Sequence, residues 1–318
     1  MAPELSIVVP VKDEEAAIAP FVTRLTAILE SLYEEPGAWE ILFVDDGSAD
    51  RTLAELRAAN ARDGRVRAVS LSRNFGKEAA LSAGLDNARG QAIVPIDVDL
   101  QDPPELIGPM LAKWREGYEV VYGVRRNRAS DSLSKRLTAH LYYRTHNYMA
   151  PEKIPAHAGD FRLLDRAVVD VIRLIPERNR FMKGLFAWAG FRQTSVEYDR
   201  TARRVGETKF RYWKLWTLAI DGITSSTTVP LRIWSYVGGI VAALALFYAL
   251  FIVLRTLILG IQVPGYASLL VAVLFLGGVQ LLSLGILGEY VGRIFTEVKG
   301  RPIYVIRERL GSEPGDEG

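Results

Sequence analysis

The sequence predicts an α/β protein with a soluble amino-terminal part and an apolar, helical carboxyl-terminal part. In the first half of the 318 residues, short strands rich in Val and Ile alternate with helical segments, as in repeated βαβ units. Two long stretches near the carboxyl terminus contain no charged residue. The 39 basic and 37 acidic residues give a net charge of +2, so nucleic acid is not an expected partner.

Five buried strands are predicted from their length, apolar character and content of β-branched residues. Their sequences are LSIVVPV, EILFVDD, VRAVSLS, QAIVPIDVD and EVVYGVR. Helices are predicted between them over residues 14–33, 50–62, 77–88 and 103–116. These units predict a doubly wound sheet, which binds its ligand at the carboxyl ends of the strands.

The predicted turns at these strand ends exclude two common kinds of nucleotide site. The first strand is not followed by GxGxxG, and the segment RNFGKE does not have the spacing of a GxxxxGK[ST] phosphate loop. Both a dinucleotide-dependent oxidoreductase and a P-loop ATPase are therefore disfavoured. The chain also has no cysteine, which excludes disulfides, thiolate metal sites and cysteine nucleophiles.

Carboxylates follow three of the predicted strands instead. They are Asp13, Glu14, Glu15, Asp45, Asp46, Asp97, Asp99 and Asp102. Any one of them can be explained as a helix cap. As a cluster they would repel one another unless a cation lay among them. Asp97, Asp99 and Gln101 alternate along a predicted strand end, so their side-chain oxygens can face one hard cation, Mg²⁺ or Mn²⁺.

The uncharged stretches predict two transmembrane helices, over about 233–259 and 266–291, separated by Val263, Pro264 and Gly265. Each is long enough to cross a hydrocarbon core of roughly 30 Å. A buried helical hairpin in a soluble domain is the alternative, although such a hairpin should keep a polar stripe. Basic residues flank the outer ends of the pair, so we expect both termini to be cytoplasmic. Residues 1–11 lack the pattern of a signal peptide, which agrees with that placement.

The segment RYWKLWTLAIDGITSS has its large apolar residues at helical spacing beside basic residues, which predicts a helix in the membrane interface. Packing on the soluble core is the alternative. We therefore expect a catalytic domain over 1–210, an interfacial segment over 211–232, two membrane helices over 233–291 and a cytoplasmic tail over 292–318. Glycines in the second membrane helix permit close helix contacts, within the hairpin or in a homo-oligomer.

Seven segments occur in an order that resembles the inverting glycosyltransferases of family 2, which have the GT-A fold. They are VVPVKDEE, FVDDGSADRT, RNFGKEAAL, DVDLQDPPE, GDFRLLDR, RNRFMKG and GETKF. Because two spans follow them, the chain resembles in particular the polyprenyl-phosphate glycosyltransferases of the bacterial inner membrane. Asp13 stands where that family usually has Asn.

This resemblance implies a role for each of several residues. Pro10, Glu14 and Asp46 would hold the nucleoside, with Asp97 near the ribose or the metal. Asp99 and Gln101 would ligate the metal. Arg203 and Lys209 would neutralise the diphosphate of the nucleotide sugar. Arg125 and Arg136 would receive the acceptor phosphate. Asp160 would act as a base, or orient Arg162 or the acceptor, or cap a helix before Leu163.

The implied reaction is direct transfer of a sugar from a nucleotide sugar, with UDP-glucose favoured, to a polyprenyl phosphate. Mannose transfer from GDP-mannose is one alternative. A non-catalytic membrane protein that binds sugar nucleotides is another, and a soluble glycosyltransferase with an apolar oligomerisation hairpin is a third. A processive polysaccharide synthase is disfavoured, because the chain has no QxxRW motif.

Overall fold

The protein is described here from a computed structural model covering residues 2–35, 37–125, 158–178, 180, 182–198 and 265–311, with scattered positions in 238–258. The strands are β1 (Leu5–Val11), β2 (Trp39–Asp45), β3 (Val66–Leu71), β4 (Ala92–Pro95), β5 (Val120–Arg125), β6 (Ala158–Asp165), β7 (Gln193–Tyr198) and β8 (Ile306–Leu310). The α-helices are α1 (Glu15–Leu32), α2 (Thr52–Arg62), α3 (Lys77–Asn87), α4 (Ile107–Arg115), α5 (Arg166–Leu174), α6 (Met182–Trp188) and α7 (Tyr266–Val298).

Within the described residues, all eight strands form one mixed sheet in the order β7-β5-β6-β4-β1-β2-β3-β8. Strands β4, β1, β2 and β3 are parallel neighbours, whereas β6 and β8 run antiparallel to the strands beside them. The chain moves from β1 outward to β3 and then returns to place β4 on the other side of β1. This reversal opens a crevice at the carboxyl ends of β1 and β4, where doubly wound sheets bind ligands.

Both faces of the sheet are covered by helices. Successive strand residues point to opposite faces, so Ile7 and Val9 pack with α1, α2 and α4, whereas Val8 packs with α3, α5 and α6. All three strand residues are fully buried. Burial on both faces explains why β1 to β4 have continuously apolar sequences.

The five predicted strands and the four predicted helices are present, and most of their bounds agree within about two residues. One strand prediction is wrong: β4 ends at Pro95, so Asp97, Asp99 and Gln101 lie in a loop rather than along the strand. Leu100 in this loop has a φ of 53°, a left-handed conformation that no strand can contain. The fourth predicted helix begins with a 3₁₀ turn over Pro104–Leu106.

Strands β6, β7 and β8 are absent from the sequence-based prediction. Strand β8 has the sequence IRERL and lies within the segment that we expected to be a tail. It pairs antiparallel with β3 at the edge of the sheet, with Ser70 opposite Glu308. Its charged residues are typical of a protected edge strand. Because of them, the segment does not have the apolar pattern from which strands were predicted.

Helix α7 is the one helix among the described residues that is long and apolar enough to cross a membrane. Its candidate span is Phe275–Val298, with a mean hydropathy of 1.3. The described positions between 238 and 258 are also helical. The predicted two-helix transmembrane hairpin is nevertheless not confirmed, because much of its first helix lies outside the described residues. The predicted interfacial segment over 211–232 lies entirely outside them.

The carboxyl-terminal end of α7 contacts the sheet domain directly. Both carboxylate oxygens of Glu297 accept from the backbone N–H of Arg178, at 3.0 and 3.2 Å. The Nε of Arg178 donates to the carbonyl of Arg301 at 2.8 Å. Further along, the Tyr304 hydroxyl donates to Asp86 at the end of α3, at 2.8 Å. The chain then enters β8, so the carboxyl-terminal end of α7 is attached to the sheet domain through Arg178, Asp86 and strand β8.

A buried ion pair joins β2 and β3. Arg67 donates through Nη1 to Glu40 at 2.7 Å, and the two residues are 6% and 4% exposed. Glu40 also accepts from the Ser6 hydroxyl at 2.6 Å and from the N–H of Arg89 at 2.8 Å. These bonds replace the water that both charges lose on burial.

We expect Glu40→Ala to lower the free energy of unfolding by about 3–5 kcal/mol, because it leaves the Arg67 guanidinium buried without its carboxylate. Glu105→Ala is the matched control, since its pair with Arg24 is exposed to solvent and should contribute no more than about 1 kcal/mol. Denaturant unfolding of both variants in detergent measures the difference. Equal losses of unfolding free energy in the two variants would contradict a stabilising role for the buried pair of Glu40 and Arg67.

Candidate active site

The crevice is lined by the loops that follow β1, β2 and β4, because these parallel strands end at the same edge of the sheet. Glu14 follows β1, Asp46 follows β2 and Asp97 follows β4. The structure thus brings together the strand-end carboxylates that the sequence predicts. Pro10 is the penultimate residue of β1 and is partly exposed at this edge.

Asp46 is a buried carboxylate that holds the loop after β3. It is 4% exposed, and its two oxygens accept from the N–H groups of Phe75 and Gly76, at 2.7 and 2.9 Å. Its own N–H donates to the carbonyl of Val11 at 2.9 Å. Asp46 therefore connects the ends of three neighbouring strands.

Gly47 permits the close approach that these bonds require. Its φ is 65°, and a Cβ at this position would lie 2.4 Å from the backbone carbonyl carbon of Arg73. Only glycine combines this conformation with such a short separation. The sequence DDG after β2 is explained by this contact with the next loop.

Asp13 connects the loops after β1 and β2. It accepts from the N–H of Ala49 at 2.8 Å, while its own N–H donates to the Ser48 hydroxyl at 2.9 Å. The hydrogen bond from Lys12 lowers the pKa of Asp13, and the bond from Ala49 lowers it further. Glu14, and not Asp13, is the cap residue of α1, so the helix-cap explanation of Asp13 is wrong.

Lys77 is a site residue that the sequence analysis did not single out. As the first residue of α3, it places its Nζ 2.7 and 2.8 Å from the two carboxylate oxygens of Asp97. Both side chains are about half exposed, so the pair contributes little to stability. Its effect is to fix the position of Asp97 and to reduce the negative charge of the crevice. The available signal is the Gly-Lys sequence of RNFGKE ahead of a helix, which does not have the spacing of a phosphate loop.

Asp99 and Gln101 approach each other in the loop after β4. The Gln101 side-chain amide donates to an Asp99 oxygen at 2.5 Å, and its backbone N–H donates to the other at 3.2 Å. The side chains of Asp99 and Gln101 therefore lie next to each other at the surface of the loop. Asp97 is not part of this pair, because its carboxylate is bonded to Lys77. A carboxylate beside an amide oxygen fits a hard cation. No group of three or more His, Cys, Asp or Glu residues that could hold a metal ion is present in the described part of the chain.

The sequence that forms this crevice matches a known protein family. The model of glycosyl transferase family 2 matches residues 6–173, which include β1 to β6 and all of these loops. The chain belongs to glycosyl transferase family 2. A second model, the GtrB C-terminal hairpin, matches residues 229–294.

This glycosyltransferase has close relatives over nearly its whole length. An uncharacterized glycosyltransferase from Synechocystis sp. is 52% identical, covering 98% of each chain. A prophage-derived bactoprenol glucosyl transferase from Shigella flexneri is 48% identical, covering 98% of this chain and 100% of the relative. Among solved structures, mannosyl-3-phosphoglycerate synthase from Rubrobacter xylanophilus is 19% identical, with a TM-score of 0.48, over 72% of this chain and 74% of that one.

Two further predicted site residues of this glycosyltransferase lie at the same edge of the sheet. Arg125 is the last residue of β5, and Asp160 is near the start of β6, which runs antiparallel to β5. Asp160 does not cap a helix, because it lies within a strand and Asp165 caps α5. Three predicted residues lie outside the described residues. They are Arg136, Arg203 and Lys209.

Asp102 is also buried, at 8% exposure, and accepts from the Tyr198 hydroxyl at 2.5 Å. Tyr198 ends β7, at the far edge of the sheet from β8. The bond therefore joins the loop after β4 to the distant strand β7. Asp102 therefore has a structural role, so not all of the carboxylates at the strand ends bind a metal or a substrate.

We expect Gly47→Ala to displace the loop over residues 72–76 and to lower the free energy of unfolding by roughly 2–4 kcal/mol, the sum of left-handed strain and steric overlap. Gly37→Ala is the matched control: Gly37 has a φ of 89°, but a Cβ there meets nothing within 4 Å. That variant should lose only about 1 kcal/mol. Denaturant unfolding compares them, and a smaller loss for Gly47→Ala would contradict the contact.

Proposed function

We propose that this chain transfers glucose from UDP-glucose to a polyprenyl phosphate at the cytoplasmic face of the bacterial inner membrane. The observation that carries the proposal is the 48% identity, over nearly the full length, to a relative named bactoprenol glucosyl transferase. The family 2 domain, the strand-end carboxylates and the apolar helix α7 agree with it. GDP-mannose is the alternative donor.

The proposed reaction is a single displacement. A phosphate oxygen of the acceptor forms a bond to the anomeric carbon, while the bond from that carbon to the diphosphate oxygen breaks and UDP leaves. Configuration at the anomeric carbon inverts. Because a phosphate monoester has its second pKa near 6, the acceptor is largely ionised at pH 7 and needs little help from a base. Asp160 is therefore proposed as a base or as a group that orients the acceptor.

The donor site is proposed at the crevice between β1 and β4. Pro10 and Glu14 hold the nucleoside, whereas Asp46, which is buried and bonded to the backbone of Phe75 and Gly76, acts by holding the loop beside it. Asp97, paired with Lys77, lies near the ribose or the metal. Arg203 and Lys209 neutralise the diphosphate. These assignments place cations against an anionic leaving group, where positioned positive charge stabilises a transition state.

The acceptor phosphate is proposed to meet Arg125 and Arg136. Arg125 ends β5, two strands from β4 in the sheet. Adjacent strands lie about 4.8 Å apart, so an acceptor at β5 is within reach of a donor at β4. A bilayer close to this edge would allow a long prenyl tail to stay in lipid during transfer.

Asp99 and Gln101 are proposed to hold Mg²⁺ or Mn²⁺, with diphosphate oxygens as the other ligands. The Gln101 amide now directs its N–H toward Asp99, so it would rotate to present its oxygen. A bound divalent cation would supply charge stabilisation for the departing diphosphate.

The proposed domain arrangement keeps the expected catalytic domain over 1–210, the interfacial segment over 211–232 and two membrane helices from residue 233. The second helix, expected to end at 291, continues to Val298, so the cytoplasmic tail is proposed to begin at 299 rather than at 292. Both termini are proposed to be cytoplasmic. Strand β8 adds that the tail returns to the catalytic sheet. A homo-oligomer through the glycine-containing face of α7 is compatible with this arrangement.

Purified protein incubated with undecaprenyl phosphate should glucosylate it from UDP-glucose, with mass spectrometry of the lipid product as the measurement. EDTA should abolish the reaction and excess Mg²⁺ or Mn²⁺ should restore it. Parallel incubation with GDP-mannose is the control for the donor. Mannose transfer without glucose transfer would replace our proposal by the alternative, and undiminished activity in EDTA would refute the metal.

We expect Asp99→Asn to lower turnover by on the order of 10² to 10³, the scale of losing one positioned electrostatic stabiliser. Glu105→Gln is the matched control: this nearby acid is bound to Arg24 and should keep near-normal turnover. Steady-state kinetics at saturating metal compare the variants. Similar rates for Asp99→Asn and wild type would remove Asp99 from the metal site.

A further inference from the structure

The end of helix α5 lies at the same edge of the sheet as the crevice. The N–H of Arg166 donates to the carbonyl of Gln91, so α5 starts beside the beginning of β4. Nine residues at about 1.5 Å each then carry the chain back toward the carboxyl ends of the strands. Met182, a few residues beyond α5, donates from its N–H to Glu78 in the first turn of α3, at 3.4 Å. The described residues of the segment over 174–182, which are 174–178, 180 and 182, therefore border the crevice.

The same segment receives the end of the apolar helix. Glu297 of α7 is bonded to the backbone of Arg178, and Arg178 reaches the carbonyl of Arg301. In its last two turns α7 still exposes large apolar side chains. They are Val291, Ile294, Phe295 and Val298. An apolar surface that continues down to the attachment point brings the bilayer boundary to the level of the segment over 174–182.

Leu174 is the unexplained apolar residue at this level. It ends α5 and is 82% exposed, against 8% for the neighbouring Ile175. Trp188 is a second exposed apolar residue on the same face of the sheet, at 54%. It lies at the other end of α6, which runs back toward the start of β7. Leu174 is therefore close to the end of α7, whereas Trp188 is farther from it.

The charge around Leu174 favours an anionic surface. Five basic residues lie in the two segments that meet here. They are Arg173, Arg178, Arg180, Lys299 and Arg301. Four acids oppose them: Glu177 and Glu297 in the same two segments, and Asp86 and Asp170, each of which has a carboxylate oxygen 3.7 Å from the Arg173 guanidinium. The basic residues therefore exceed the acids by one. Burial raises the pKa of Glu177, and the nearby Glu297 raises it further.

We infer that Leu174 and the basic residues around it form a membrane contact surface, which seats the rim of the crevice on the headgroups of an anionic bilayer. Each basic group near such a surface adds to the attraction, and an exposed leucine gains by entering the acyl boundary. This surface belongs to the sheet domain and is separate from the expected interfacial segment over 211–232. The inference rests on the proposed membrane location of α7, but not on the identity of the donor or the acceptor.

Site-directed spin labelling tests the surface in the full chain, because the protein has no cysteine. Leu174→Cys and, as matched control, Trp188→Cys are labelled with a nitroxide and reconstituted in phosphatidylcholine vesicles that contain phosphatidylglycerol. Collision with oxygen, which concentrates in lipid, is compared with collision with a water-soluble nickel chelate. The oxygen-to-nickel ratio should be severalfold higher at position 174 than at position 188.

Ratios at the two positions that are equally water-like would overturn the inference. Vesicles of phosphatidylcholine alone test the charge, since position 174 should then be less shielded from the nickel chelate. Equal shielding in both lipids would overturn the preference for anionic headgroups. Glucose transfer is not measured here, so failure of the membrane contact and failure of the proposed activity are distinguishable.

Discussion

The hydrogen bonds of Asp46 are the interaction on which the geometry of the crevice depends. A buried carboxylate needs donors to replace its hydration, and Asp46 obtains them from the backbone of Phe75 and Gly76. Those two amides precede α3, so the bonds also place Lys77 where it can pair with Asp97. Asp46, which follows β2, is thus linked through Lys77 to Asp97, which follows β4. These two carboxylates lie on opposite sides of β1 in the sheet. Gly47 supports the arrangement by leaving room for the loop that Asp46 holds.

The electrostatics of the crevice explain why cations must come from several parts of the chain. Its described loops are rich in carboxylates, whereas both proposed substrates are anions. Lys77 offsets one carboxylate, and a divalent cation at Asp99 would offset more. The remaining positive charge is proposed to come from Arg125, Arg136, Arg203 and Lys209, which follow β4 in the sequence. An acidic sheet edge therefore needs cations from other parts of the chain, or a bound metal, before it favours the binding of anions.

The parallel half of the sheet was predictable because burial on both faces produces apolar runs, as in LSIVVPV of β1. The site carboxylates were predictable because they follow those runs. The antiparallel strands were not, since β8 is half exposed and has three consecutive charged residues at its centre. The role of Asp102 was also hidden, because its partner Tyr198 is distant in sequence. The turn at Leu100 could not be inferred either, because a left-handed leucine has no sequence signal. Local pattern therefore predicted the frame and the acids, while contacts between distant segments determined what each acid does.

Strand β8 has a consequence for biosynthesis. Its partner β3 is made early, whereas β8 leaves the ribosome only after α7 has been synthesised. Until then β3 is an open sheet edge, which is a template for pairing with another chain. Completion of the sheet domain is thereby delayed until α7 has been synthesised. A nascent chain that stops short of residue 306 would leave the edge of β3 unpaired, and α7 without its connection to the sheet through β8.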